Sequence, residues 1–356
     1  MRRIVLVAFM SIVAYGAEPP PAKPEPAPAP QPAKKWTIGV SLEAEQNTFC
    51  QEVEKGMKAA AAELAGIELD IRSADLDLET QVGQVDAFIA KKVDAIALSP
   101  VDPQGIGPAI RKANAAKIPV FIIEVAVKDG AVVSHIGSDC VAGGRLAGLR
   151  MARLLHGQGD VIVLVDRPAV SPVQDMIKGF VETAEKSGLT VLERPLAEGK
   201  RDKVQAVMEV MLEKYPMLNG VLATNDECAL GALDAVQAAN RTDMVIVGSG
   251  ASSEARKAIL SGGPLKADII QFPVNIGRKA VETMHSHLSG TKVPGQVLVN
   301  VGVVDGESLA GSATSVQEPQ EVDGGWGKLG VILLLVLSAV LLLLWRSRRP
   351  AGGATR

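Results

Sequence analysis

From Trp36 onward, short β-branched runs that stop at turn residues alternate with longer stretches whose apolar side chains recur at helical spacing. The runs 37–40, 68–72, 95–98, 120–123, 132–136, 161–165, 190–193, 220–223, 244–247, 267–270 and 297–301 predict strands. The stretches 49–64, 78–91, 106–116, 145–155, 173–186, 204–214, 228–239, 254–260 and 276–288 predict helices. A strand–helix–strand order requires parallel sheets with helices on both faces. These strands outnumber what one open sheet holds comfortably, so the expected fold class is α/β with two doubly wound parallel-sheet lobes joined by a hinge. Ligands of such sheets bind beyond the carboxyl ends of the strands, where loops lead into helix N-termini.

Those loops are polar. They carry Glu43-Ala44-Glu45-Gln46-Asn47, Ser99-Pro100-Val101-Asp102, Glu124, Asp166-Arg167, Thr224-Asn225-Asp226-Glu227, Ser249-Gly250-Ala251-Ser252 and Gln271. Asn47, Asp102, Asp226 and Ser252 are each good helix N-caps, which accounts for any one of them alone. As a set, hydrogen-bonding strand ends that converge on one cleft between two lobes suit a polar, uncharged ligand rich in hydroxyls.

The ends of the chain differ in kind from its middle. Met1-Arg2-Arg3, an apolar run and small residues at Ala14, Gly16 and Ala17 predict a signal peptide over 1–17. Residues 18–35 are Pro-rich and read as a stiff extended linker. Residues 329–345 are uncharged, bracketed by Trp326 and Trp345, and followed by Arg346, Arg348 and Arg349. This predicts a C-terminal transmembrane helix with a cytoplasmic tail over 346–356, reached through a linker over 311–328. A binding domain over 36–310 then lies outside the cytoplasm, tethered to the membrane. The same tail also resembles bacterial sorting signals, so a permanent and a cleaved anchor both fit.

Composition removes other classes. At 47% hydrophobic and 22% charged, the 356-residue chain is not wholly disordered, and a net charge of −3 argues against neutralising many phosphates, so no nucleic-acid partner is expected. The run Gly248-Ser249-Gly250-Ala251-Ser252-Ser253 superficially resembles a dinucleotide fingerprint, but it ends in Ser and lies late in the chain. His135, His156, His285 and His287 form no converging set, and Cys50, Cys140 and Cys228 are too widely spaced for a metal knuckle. No enzyme, metal or cofactor is expected. Cys50 and Cys228 each begin a helix beside the cleft; a disulfide between them would lock two lobes shut, and small buried fillers are the other reading.

Residues 37–305 resemble the type I periplasmic binding proteins of ABC importers, most closely the ribose-binding branch. The resemblance rests on Thr37-Ile38-Gly39-Val40 leading to Asn47-Thr48-Phe49, Ile118-Pro119-Val120, Val132-Val133-Ser134-His135-Ile136-Gly137-Ser138-Asp139 with Gly143-Gly144, Asn225-Asp226-Glu227-Cys228-Ala229-Leu230-Gly231, Val245-Ile246-Val247-Gly248 and Gln271-Phe272-Pro273. It implies a clamp whose chain crosses between lobes near Ser138, Gln271 and Asn300, with lobe one over 36–138 and 272–300 and lobe two over 139–271 and 301–310. Carried over position by position, the ribose pattern keeps Asn47, Phe49, Asn225 and Gln271, and its acid survives as Glu124. Its second ring falls on Cys50, its arginines on Val125 and Met176, a later aromatic near Gly199, and a Phe-Asp pair on Ser249-Gly250. The predicted ligand residues are therefore Asn47, Phe49, Glu124, Asn225 and Gln271, with Glu43 and with Arg167 as a replacement guanidinium. The expected partners are a small sugar-like ligand and an ABC permease, the domain itself being monomeric. A sensor or scaffold with the same fold is the alternative reading.

Overall fold

The computed structural model describes residues 35–311. The first lobe opens with β1 (Trp36–Leu42), α1 (Thr48–Glu63), β2 (Ile67–Ser73), α2 (Leu78–Lys91), β3 (Ala95–Leu98), α3 (Gly107–Ala115), β4 (Val120–Ile123) and β5 (Ser134–Ser138). The second follows with α4 (Cys140–Leu154), β6 (Gly159–Leu164), α5 (Ser171–Lys186), β7 (Leu189–Glu193), α6 (Arg201–Lys214), β8 (Leu218–Ala223), α7 (Asp226–Ala238), β9 (Val245–Ser249), α8 (Ser253–Leu260) and β10 (Leu265–Ile270). The chain then returns to the first lobe for α9 (Pro273–Leu288) and β11 (Gln296–Val299), and ends in the second with β12 (Gly302–Asp305) and α10 (Gly306–Gly311).

The two sheets repeat one plan. Their strand orders are β2-β1-β3-β4-β5-β11 and β7-β6-β8-β9-β10-β12. Each order reverses direction beside its first strand, and the loops leaving that point flank a crevice. β3 and β4 are buried along their whole length because helices cover both faces, which is why the runs Ala95-Ile96-Ala97-Leu98 and Val120-Phe121-Ile122-Ile123 are continuously apolar. Each Val, Leu, Ile or Phe among them contributes about 1.5–3 kcal/mol by leaving water.

Two helix pairs approach unusually closely, one per lobe. A Cβ at Gly277 of α9 would collide with the Val53 carbonyl oxygen of α1, and a Cβ at Gly144 of α4 would collide with the Met176 carbonyl oxygen of α5. These glycines explain an error of the sequence reading. Glycine disfavours a helix interior, so the expected helix over 145–155 began late; α4 begins at Cys140, with Asp139 accepting from the Ala142 N–H at 2.8 Å. Tertiary packing against α5 outweighs the propensity.

Three further differences matter. The run 297–301 is the end of β11 and the approach to β12, in different sheets. β12 runs antiparallel to β10, so the second sheet is not wholly parallel. The cap of α7 is Asn225 rather than Asp226, and Asp102 caps a turn at Gln104, since α3 begins only at Gly107. Among the described residues no helix is long and apolar enough to cross a membrane. The segments 1–17, most of 18–35, all but residue 311 of 311–328, and 329–345 and 346–356 lie outside the described residues.

Candidate functional site

The chain passes between the sheets after β5, after β10 and after β11, and the loops beside these passages enclose a cleft of about 590 Å³. Glu43, Asn47, Phe49, Glu124, Arg167, Asn225 and Gln271 all line it, with the first four from the first lobe. Of the other strand ends, Ser99, Thr224, Asp226, Glu227, Ser249 and Gly250 also reach it. A second depression of about 640 Å³ lies on the outer side of α5 beside Ile177, Val181 and Leu196; it is mainly apolar and receives none of these strand ends.

Asn47 and Asn225 play matching parts in the two lobes. Asn47 Oδ1 accepts from the Phe49 N–H at 2.9 Å and starts α1; Asn225 Oδ1 accepts from the Cys228 N–H at 2.8 Å and starts α7. Because each oxygen is committed to a backbone N–H, the orientation of each amide is settled, and each Nδ2 is left to donate. One residue thus orders a helix and offers a donor at its N-terminus.

Glu124 has a different role. It sits at φ +60°, and its buried carboxylate accepts from the Ser138 N–H at 2.8 Å, from Ser138 Oγ at 3.2 Å and from Gln271 Nε2 at 2.8 Å. Cys140 Sγ lies 3.8 Å away. Burial pushes the Glu124 carboxyl up, and the bonds from Ser138 and Gln271 oppose that shift. Glu124 therefore ties the passage at Ser138 to the passage at Gln271. His135 Nε2 meets the Glu124 backbone carbonyl at 2.8 Å and holds the same turn.

The lobes also touch at the rim. Arg167 Nη1 lies 3.7 Å from Glu43 Oε1 across the cleft, and Arg167 Nε lies 3.4 Å from Asp166 Oδ2. Burial pushes the Glu43 carboxyl up, while Arg167 draws it down. The Ala126 N–H donates to Ser171 Oγ at 2.9 Å, a second bond between lobes.

The remaining wall is apolar. Val125, Val173, Met176, Ile269 and Val301 line it, so where the ribose pattern would place guanidinium groups at 125 and 176 this cleft presents aliphatic and thioether surface. No ring fits at Gly199, whose φ is +63° and whose Cβ would run into Asp166. Cys50, Cys140 and Cys228 are buried and unbridged. Burial pushes all three thiols up, that of Cys228 to about 12, which suits small core fillers rather than nucleophiles.

Residues 38–292 match the periplasmic binding protein domain. The ribose import binding protein RbsB of Escherichia coli (strain K12) is 32% identical over 270 residues, spanning 76% of this chain and 90% of its own. The chain belongs to the type I periplasmic binding proteins, the sugar-binding components of ABC importers. The xylitol-binding protein of Mycolicibacterium smegmatis is 32% identical over 227 residues, spanning 63% of this chain and 64% of its own. Among solved structures, an ABC transporter solute binding protein from Agrobacterium vitis bound to α-D-tagatopyranose is 28% identical with a TM-score of 0.69, covering 78% of this chain and 97% of that one. Membership in this periplasmic binding protein family implies an exported protein.

Sequence reasoning missed Val173, Ile269 and Val301 of the apolar wall, and Ser171 beside it. Val173 and Val301 carry no polar signal, and Ser171 joins the lobes only through the turn at Ala126. An apolar residue just after a helix start, on the side facing another lobe, was the one cue available.

Proposed function

We propose that this chain is a membrane-tethered, extracytoplasmic solute-binding protein that captures a small neutral ligand, a monosaccharide or related polyol, between its lobes and delivers it to an ABC importer. The observation that carries the reading is the cleft itself. It joins amide, carboxylate and hydroxyl groups from both lobes around about 590 Å³, a size usual for small-molecule sites, and pairs Asn47 with Asn225 across the lobes. Asn47, Phe49, Glu43 and Glu124 serve from the first lobe, and Asn225 and Arg167 from the second, with Gln271 at the crossing. The relatives support this class, since curated neighbours bind ribose and xylitol.

Loss of the charged positions of the ribose pattern argues for a ligand other than ribose. Each charge-assisted hydrogen bond is worth about 1.5–3 kcal/mol, so losing several would lower ribose affinity by orders of magnitude. The order of parts in the proposal is a signal peptide over 1–17, a linker over 18–35, the clamp over 36–310 and an anchor over 329–345. The anchor is supported by its uncharged run and the arginines after it.

Calorimetry of the purified full chain against a panel of sugars, polyols and nucleosides tests the ligand class. At least one sugar or polyol is expected to bind, and a silent panel overturns the small-sugar reading. Membrane fractionation of the full chain, with and without residues 329–345, tests the tether; equal recovery in the soluble fraction overturns it.

A further inference from the structure

At the second-lobe wall of the cleft lies a pair of carboxyl groups, Asp268 buried and Asp226 half-buried at the cleft edge, whose contact with each other the ligand reading does not use. Asp268 stands in the middle of β10 with no exposed surface; the backbone N–H groups of Ala251 and Ile269 approach its carboxyl, but neither oxygen has a well-formed hydrogen bond among the described residues. The Asp226 carboxyl lies against it, within hydrogen-bonding reach. Asp226 Oδ2 accepts from the Ser252 N–H at 3.0 Å, but its Oδ1 is buried and also without a partner. Both groups occupy space left open at the end of β9: a Cβ at Gly248 would stand 3.0 Å from Asp268 Oδ2, and one at Gly250 would strike the Asp226 carboxylate.

Three orphaned acceptor oxygens in two touching carboxyl groups are not a stable arrangement of two anions. Like charges at this range, out of water, repel strongly, and an unpaired buried acceptor is itself costly. Among the described residues no ion pair reaches either carboxyl, and Lys257 of α8 makes none with them. Of the charged groups on the elements around β10, Glu254 of α8 pairs with Arg201, Arg256 of α8 donates to the Ala251 carbonyl, and Lys266 of β10 donates to the Gly262 carbonyl. Asp305 of β12 pairs with Arg150 of α4, and Glu227 of α7 faces the cleft. The ionisable group that acts on Asp268 is Asp226.

We infer that Asp268 is a positioning residue that carries a proton at neutral pH and donates its O–H to Asp226 Oδ1, so that a single shared proton holds the starts of α7 and α8 together behind the cleft. The O–H satisfies one orphaned oxygen of each acid. Burial first, and the Asp226 charge second, hold the Asp268 carboxyl well above the usual carboxylate range against the opposing pull of the Ala251 and Ile269 backbone N–H groups, in the direction this arrangement requires. Asp226 is the first residue of α7, directly after the cap Asn225, and its other oxygen holds Ser252, the cap of α8. Ionisation releases the proton to solvent and sets two negative charges against each other directly behind Asn225, Ser249 and Gly250. The wall is then pushed apart as pH rises.

The folded state keeps a proton that the unfolded chain gives up above an ordinary carboxyl pKa of about 3.9, so the contribution is lost as pH rises through the raised value. In Asp268→Asn the amide Nδ2 donates to Asp226 at every pH; in Asp226→Asn the new amide donates to the Asp268 carboxylate. Urea unfolding of the full chain from about pH 5 to about pH 8 is expected to show the wild-type unfolding constant rising relative to Asp268→Asn by about tenfold per pH unit until Asp268 ionises. Asp226→Asn should flatten the same dependence. Infrared difference spectra of wild type against Asp268→Asn at pH about 7 should contain the band of a protonated carboxylic acid. A wild-type to Asp268→Asn ratio that stays constant with pH overturns the inference, as does absence of the acid band, or stabilisation of wild type but not Asp268→Asn by added calcium or magnesium. These readouts need no ligand, so failure of the sugar-binding reading and failure of this one are separable.

Discussion

Substitutions at Asn225 should separate the cap that its side chain forms from the ligand-donor role proposed for it. Its Oδ1 accepts the Cys228 N–H at 2.8 Å and starts α7, while its Nδ2 is the group available to a ligand in the cleft. Serine and aspartate cap helices about as well as asparagine, whereas alanine forfeits about 0.5–2 kcal/mol. Asn225→Ser and Asn225→Asp therefore keep the cap and lose the amide donor; Asn225→Ala loses both. Loss of one neutral hydrogen bond costs about 0.5–1.5 kcal/mol, a fall in affinity of about 2- to 13-fold, and leaving a ligand hydroxyl unpaired in the closed cleft raises this to about 1–3 kcal/mol, or about 5- to 150-fold. Asn225→Asp carries an added cost, because Asp166 and Asn225 Nδ2 approach the same point above Gly199 and a second carboxylate there is repelled. The uncharged Asn225→Ser variant removes that complication. Urea denaturation should find Asn225→Ser within about 0.5 kcal/mol of wild type and Asn225→Ala destabilised by about 1 kcal/mol, while calorimetry finds both weakened toward whichever sugar or polyol binds. Undiminished binding by Asn225→Ser would refute the donor role, and undiminished stability of Asn225→Ala would refute the cap.

Other consequences can be checked with stability alone. Glu124→Ala strands the buried Ser138 N–H, at about 1–3 kcal/mol, and removes the bond to the half-buried Gln271 Nε2, at about 0.5–1.5 kcal/mol, so urea unfolding should show a loss of about 1.5–4.5 kcal/mol, with Glu124→Gln well short of that. Gly277→Ala puts a methyl group against the Val53 carbonyl and should cost about 1–3 kcal/mol by forcing α1 and α9 apart; thermal unfolding at wild-type temperature would show that the helices yield freely. Asp70 is drawn down to about 2, chiefly by its bonds from Arg72 and then by Lys91, so its contribution is present above an ordinary carboxyl pKa and lost as pH falls from about 4 toward about 2. The full shift would be worth about 2.5 kcal/mol, but Asp70 lies on an edge strand with 22% of its side chain exposed, and screening leaves about 1 kcal/mol; acid titration of stability should be shallower in Asp70→Asn.

How far the sequence spoke for the fold depended on what each segment buries. The runs 95–98 and 120–123 match β3 and β4 to the residue, because strands covered on both faces tolerate nothing but apolar side chains. The helix at α4 was half legible: its glycines serve contact with α5, and that contact is invisible to local propensity. The run 297–301 reads as one strand because nothing in Val299-Asn300-Val301 marks a change of sheet. At the cleft, polar residues after strands were a sound guide, since that position is where a doubly wound sheet leaves backbone and side chains unpaired. The choice between Asn225 and Asp226 as cap was not legible, as both types cap equally well. Asp268 carried a signal that went unused: an acid inside an otherwise apolar strand, Leu265-Lys266-Ala267-Asp268-Ile269-Ile270, has to be paired, protonated or misassigned.

The bonds of Glu124 bear on how such a site can work. A carboxylate that faced only the ligand would contribute affinity and leave lobe motion to the backbone. Here Glu124 is bonded to Ser138 at one crossing and to Gln271 at another, and Gln271 in turn lines the cleft. A ligand hydroxyl that recruits Gln271 or Glu124 must therefore compete with a bond that ties two of the chain's crossings together, or extend it. Since a ligand shifts a conformational equilibrium only by its differential affinity for the two states, the residues that both states share carry no such bias, while those bonded across the crossings do. Asn47 and Asn225 each belong to one lobe and hold their helix starts whether the lobes are near or far. In the proposed clamp the donor pair is thus suited to recognition, and the Glu124–Gln271 pair, with the Glu43–Arg167 contact at the rim, is suited to coupling recognition to closure.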